Sequence, residues 1–89
     1  MKSYQYLIKG KVQGVFFRAT TKDIAINLGI NGIIKNLPTG EVYLEAEANE
    51  QKFIKFEEYL RNGPKDSIVE SVDKKPIDFK NYTSFEILS

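Results

Sequence analysis

Apolar and polar positions alternate from Tyr4 to Val12, with Tyr4, Tyr6, Ile8 and Val12 on one face and Gln5, Lys9 and Lys11 on the other. A period of two that includes aromatic residues predicts a strand. Residues 13 to 17 break the alternation. From Phe17 the apolar positions fall at Phe17, Thr21, Ile24, Ala25 and Leu28, one stripe on a helix, and Gly29 supplies the stop. Ile30 to Leu37 predicts a second strand, and Leu37-Pro38-Thr39-Gly40 a turn, since proline presets its first central dihedral and glycine suits its last position. Glu41 to Ala48 alternates again, with Val42, Leu44, Ala46 and Ala48 inward and Glu41, Tyr43, Glu45 and Glu47 outward, which completes a hairpin. A second helix follows, capped by Asn49, with Glu50 at its positive end. It buries Phe53, Phe56 and Leu60, with the aliphatic stem of Glu57 beside them, and ends at Asn62-Gly63-Pro64. Ser67 to Lys74 and the shorter Thr83 to Leu88 predict two more strands around the polar stretch Lys75 to Asn81.

The order is β-α-β-β-α-β plus a short terminal strand. It predicts an α+β, ferredoxin-like split βαβ sandwich, with an antiparallel-rich sheet and both helices on one face. With 89 residues and no internal repeat or linker, residues 1–89 are expected to form a single domain. Hydrophobic residues make up 42% and charged residues 28%, ordinary for a globular chain. A net charge of +1 argues against extended phosphate contacts with nucleic acid or attachment to an anionic membrane. No apolar run approaches a membrane span, and MKSYQYLIKG lacks a secretory h-region, so a cytoplasmic location is expected.

Two absences narrow the chemistry further. Without cysteine there is no disulfide, thiolate nucleophile or thiolate metal site, and without histidine the commonest general base and metal ligand is missing. Catalysis would have to rest on Arg, Lys, Asn, carboxylates, hydroxyls and backbone amides. Glu41, Glu45 and Glu47 have a metal-like spacing, but an outward carboxylate row on a strand reads as a solvated face, so no metal is expected. Lys74, Lys75 and Lys80 read as residues that keep the last strands soluble.

The informative stretch runs from Gly10 to Arg18, Gly-Lys-Val-Gln-Gly-Val-Phe-Phe-Arg, between the first strand and the first helix. Its glycines let the backbone approach a ligand. No Ser, Asp or Asn stands just before Phe17, so the first-turn amides lack a side-chain cap and suit an anion. Arg18 adds a planar fork of donors matched to phosphate or carboxylate oxygens. On physical grounds alone a duller alternative stays open, with the helix capped at Thr20, Asp23 completing a capping box and Arg18 solvated or ion-paired.

This stretch resembles the acylphosphatase signature Gly-x-Val-Gln-Gly-Val-x-Phe-Arg at every specified position. The segment from Gly32 to Val42 is similar to a second pattern of that family, and the resemblance extends through Gly63-Pro64 to Phe85-Glu86-Ile87. It implies hydrolysis of the carboxyl–phosphate bond of small acyl phosphates, releasing carboxylate and inorganic phosphate. By the same resemblance Arg18 binds the phosphoryl group, Asn36 orients the attacking water, and the backbone amides of Gln13, Gly14, Val15, Phe16 and Phe17 hold phosphoryl oxygens. No metal, cofactor or covalent intermediate is implied. A chain without His or Cys can carry this reaction, because phosphoryl transfer asks mainly for positioning and charge stabilisation and the leaving carboxylate departs unprotonated.

Gln13 is expected to act through its amide rather than its side chain. Asn36 has a duller alternative, a hydrogen bond to backbone beside the Pro38 turn. Within the second pattern, Ile33 replaces a usual aromatic, Lys35 a frequent Arg and Thr39 a common Asp, which bears on substrate range more than on reaction class. Two rival readings remain: an RNA-binding module stacking bases on Tyr4, Tyr6 and Tyr43, and an idle anion-binding domain. The expected partners are a small acyl phosphate and phosphate, with no nucleic acid and no membrane, and a monomer is expected.

Overall fold

The computed structural model describes residues 1–88. Strands β1 (Lys2–Lys11), β2 (Asn31–Asn36), β3 (Val42–Ala48), β4 (Ile68–Pro76) and β5 (Phe85–Ile87) form one sheet in the order β4-β1-β3-β2-β5, accompanied by helices α1 (Phe17–Leu28) and α2 (Lys52–Asn62). Four strands pair antiparallel, whereas β5 runs parallel to β2, so the sheet is mixed at that edge.

The core lies between the sheet and the helices. Tyr6, Ile8 and Val12 meet Ile34 of β2, Val42, Leu44, Ala46 and Ala48 of β3, Phe85 of β5, and the predicted helical stripes of Phe17 and Ala25 and of Phe53, Phe56 and Leu60. Gly29 ends α1 in the left-handed region, φ 74°, and the amide of Ile30 donates back to the Ala25 carbonyl. Asn49 does not cap α2 as expected. The helix starts at Lys52 without a side-chain cap, and the amides of Lys52 and Phe53 donate to the carbonyls of Asn49 and Glu50 in a tight i→i+3 first turn.

The largest departure from the sequence reading is on the opposite face. Glu45 and Glu47 point away from the helices, yet they are 5% and 2% exposed, not solvated. The cause is topological. Strand β4 lies at one sheet edge and β5 at the other, so residues 77–84 must span four inter-strand spacings, roughly 19 Å, within the roughly 26–29 Å that eight extended residues reach. The helices already occupy one face, and this strap crosses the other. Its path is pinned by the Ile77 amide on the Ser3 carbonyl, the Asn31 side-chain amide on the Tyr82 carbonyl and the Gly32 amide on the Ser84 carbonyl.

The two glutamates receive the strap. Glu47 accepts from the amides of Lys80 (2.5 Å) and Tyr82 (2.7 Å) and from Ser3 Oγ (2.9 Å). Glu45 accepts from Lys80 Nζ (2.8 Å) and from the hydroxyls of Tyr43 and Tyr82. Burial works to raise the Glu45 carboxyl, but these three donors and the Lys80 charge outweigh it and hold the group below its usual range. Lys80 is therefore a structural ion-pair partner, and Lys74 likewise pairs with Glu57 at 2.7 Å, where Glu57 also accepts from the buried Tyr6 hydroxyl.

The same arrangement removes the surface that an RNA module would need. Tyr6 is buried against Phe56, Tyr4 packs edge-on to Phe53, and Tyr43 bonds to Glu45 beneath the strap. Tyr4 and Tyr6 thus lie on the helix side and Tyr43 on the other, so these three rings do not share one open face on which bases could stack.

Candidate active site

The loop between β1 and α1 turns through two left-handed residues, Gly14 (φ 72°) and Phe16 (φ 60°). This geometry delivers the chain into α1 at Phe17 with no side-chain cap and no acid in the first turn. The first amide of this region with a backbone acceptor is that of Thr20, which donates to the Phe16 carbonyl at 3.0 Å. The alternative of a helix capped at Thr20 does not hold. The amides of residues 14–19 have no backbone or side-chain acceptor among the described residues, and the helix dipole makes this end attractive to an anion.

Arg18 stands on the first turn of α1, half-buried, with Nη1 at 3.4 Å from the Leu88 carbonyl. Asn36 ends β2. Because side chains alternate along the strand, it shares the face of the buried Gly32 and Ile34, the face that looks toward the helices. Its Oδ1 is buried and has no hydrogen-bond partner among the described residues. The backbone-bonded alternative for Asn36 is therefore not what the structure shows for this oxygen.

Arg18 and Asn36 line one cleft of about 300 Å³ together with Val12, Gly14, Phe16, Phe17, Ala19 and Ile87. The structure thus brings together the two predicted polar residues and three of the five loop residues. Gln13 and Val15 do not line it. The Gln13 side chain reaches away to the β2–β3 turn, where Nε2 donates to the carbonyls of Leu37 (2.8 Å) and Glu41 (2.9 Å). It braces the loop against the residue that follows Asn36. Val15 instead packs on the core.

Two features of the site escaped the sequence reading. Ile87 forms part of the cleft wall and the Leu88 carbonyl contacts Arg18, both placed there by the parallel pairing of β5 with β2. The signal was the closing Phe85-Glu86-Ile87, whose similarity was visible but whose position beside the loop was not. The cleft has one ionisable side chain, Arg18, and no carboxylate, hydroxyl, thiol or amine among its lining residues. Among the described residues its lining offers no side-chain nucleophile or general base.

Comparison with known proteins agrees with this geometry. The sequence model of the acylphosphatase family matches residues 4–87. The chain is 40% identical over 87 residues to an acylphosphatase of Archaeoglobus fulgidus, covering 98% of both, and 46% identical over 83 residues to one of Borrelia garinii, covering 92% and 88%. Its fold superposes on the crystal structure of acylphosphatase from Bacillus subtilis with a TM-score of 0.96 and 29% identity, covering all of both chains. The chain belongs to the acylphosphatase family and is an enzyme of that type. No described helix is long and apolar enough to cross a membrane.

Proposed function

We propose that this cleft hydrolyses small acyl phosphates by in-line attack of a water molecule that Asn36 orients, with the phosphoryl group held by Arg18 and the backbone amides of residues 13–17. The observation that carries the reading is that Asn36, whose buried Oδ1 has no partner among the described residues, lines the same cleft as Arg18 and the uncapped start of α1. A buried polar atom left without a partner is costly, and its retention beside an anion cradle supports a role toward a bound water.

In this mechanism Arg18 and the amides bind the phosphoryl oxygens and stabilise the charge that spreads over them as the P–O bond to the carboxyl loosens. The Asn36 side-chain amide holds the water by a hydrogen bond and aims its oxygen at phosphorus opposite the leaving group. The oxygen–phosphorus bond forms as the bond to the carboxyl oxygen breaks. The carboxylate leaves with the bonding pair, and the water's proton passes to a phosphoryl oxygen. An amide cannot remove that proton at neutral pH, so Asn36 positions the water without acting as a base. Among the described residues the lack of a lining nucleophile supports direct attack over a covalent intermediate, and the lack of lining carboxylates supports a metal-independent reaction.

The test follows the loss of benzoyl phosphate by absorbance at neutral pH in the presence of EDTA. Arg18→Ala is expected to lose at least ~10²-fold in rate, as when a preorganised oxyanion donor is removed. Asn36→Ala is expected to lower turnover while leaving inhibition by inorganic phosphate nearly intact. Activity of Arg18→Ala within threefold of wild type would refute the assignment, as would equal weakening of phosphate binding by both substitutions.

A further inference from the structure

The phosphoryl chemistry calls on Phe16 only through its backbone, yet its side chain is a large apolar surface at the lip of the cleft. The ring is 82% exposed. The backbone that carries it sits at φ 60°, ψ 21°, a left-handed conformation in which the Cβ of an L residue crowds the following carbonyl. Glycine would adopt it freely. The ring also makes none of the aromatic contacts that hold Tyr4, Tyr6, Phe17 and Phe53 in place. Strain and exposure thus coincide at one residue, and no packing among the described residues offsets them.

Its surroundings indicate what does. Phe16 lines the same cleft as Arg18 and Asn36, and the other exposed apolar lining there comes from Ala19 and from Ile87, which is 38% exposed. The lining therefore divides by chemistry. Part is polar, made of the loop amides, Arg18 and Asn36. The exposed remainder, Phe16, Ala19 and Ile87, is apolar and carries no charge. In an acyl phosphate the substituent on the carbonyl carbon lies only three bonds from phosphorus, so a phosphoryl group seated on the polar lining keeps that substituent within reach of the apolar lining of the same cleft.

From this bipartite lining we infer that Phe16, seconded by Ile87, is the surface on which the acyl group of the substrate lies, and that the enzyme favours acyl phosphates with an aromatic or bulky, uncharged acyl group. The inference rests on the acyl phosphate reading of the site. An aromatic acyl group meets the ring face or edge, and an aliphatic one gains from removing apolar area from water. The contact is remote from the P–O bond and forms equally in the ground and transition states, so it acts on KM more than on kcat.

The experiment compares kcat/KM for benzoyl phosphate and acetyl phosphate in wild type, Phe16→Gly and Phe16→Tyr. Any loosening of the loop by the glycine affects phosphoryl binding in both substrates and cancels in their ratio. The benzoyl-to-acetyl ratio is expected to fall on the order of tenfold in Phe16→Gly, carried by KM for benzoyl phosphate, and to stay within about twofold in Phe16→Tyr, which keeps the ring. Phe16→Asn, also tolerant of left-handed backbone, makes the same comparison should the glycine variant fail to fold. A ratio unchanged in Phe16→Gly or Phe16→Asn while both substrates are hydrolysed overturns the acyl platform and leaves acyl phosphate hydrolysis standing. A folded wild-type enzyme that hydrolyses neither substrate overturns both.

Discussion

Glu47→Gln probes the strap with almost no change in volume. The wild-type carboxylate accepts from two backbone amides, Lys80 on Oε2 and Tyr82 on Oε1, and from Ser3 Oγ, all beneath a surface that leaves Glu47 2% exposed. A glutamine keeps one oxygen and replaces the other with an NH₂ that faces an N–H donor in either orientation. One hydrogen bond becomes a donor–donor clash, and the remaining ones lose the assistance of the negative charge. Hydrogen bonds to charged groups are worth ~1.5–3 kcal/mol each, and part of the loss returns as the carboxylate's desolvation cost disappears and the strap amides reach water. The net expectation is ~2–3 kcal/mol, a large share of the roughly 5–15 kcal/mol by which a small domain is stable. Urea unfolding of wild type and variant measures it, and amide hydrogen exchange at Lys80 and Tyr82 localises it. A change below ~0.5 kcal/mol, with those two amides exchanging as freely in wild type as in the variant, would refute the reasoning.

Two further expectations follow from the same geometry. Because the folded-state Glu45 carboxyl is held below its usual range, its contribution to stability is fully present above the ordinary glutamate value of roughly 4.3 and is lost as pH falls through the depressed folded value. Urea midpoints measured between neutral pH and pH 3 should fall less steeply in Glu45→Gln than in wild type, and parallel curves would contradict this. Gln13→Ala removes two hydrogen bonds, but the Leu37 and Glu41 carbonyls keep their partners in the Gly40 and Leu37 amides, so stability should drop by only ~1–2 kcal/mol. Turnover should fall at least about tenfold, since the brace between the loop and the strand end bearing Asn36 is gone. Unchanged kcat in a folded variant would count against that brace.

Much of this molecule is written in local pattern. The alternation around Tyr6 and Ile8, the stripe from Phe17 to Leu28 and the Gly29 stop each depend on neighbours within a turn or a strand, and the structure repeats them. The uncapped start of α1 was legible for the same reason, since capping is decided by the residue next door. Asn49 misled because a residue with cap chemistry is a candidate wherever it stands, and the chain made its first turn with backbone bonds instead. The acid row on β3 misled differently. Alternation correctly assigned Glu45 and Glu47 to the face away from the helices, but whether that face meets water depends on where a segment more than thirty residues later is obliged to run.

The candidate site divides along the same line. Sequence alone determined the residue types and the uncapped loop that leads into Arg18, because these follow from composition and spacing over a few residues. Only the tertiary structure decided that Asn36 and Arg18 line one cleft, that Gln13 braces the turn after Asn36, and that Ile87 joins Phe16 in the same lining. Those relations depend on strand order. Strands β1 and β2 are neighbours of β3 and not of each other, and β5 closes on β2 only after the strap has crossed the sheet. Strand order is settled by the packing of the whole chain, and no window of the sequence contains it.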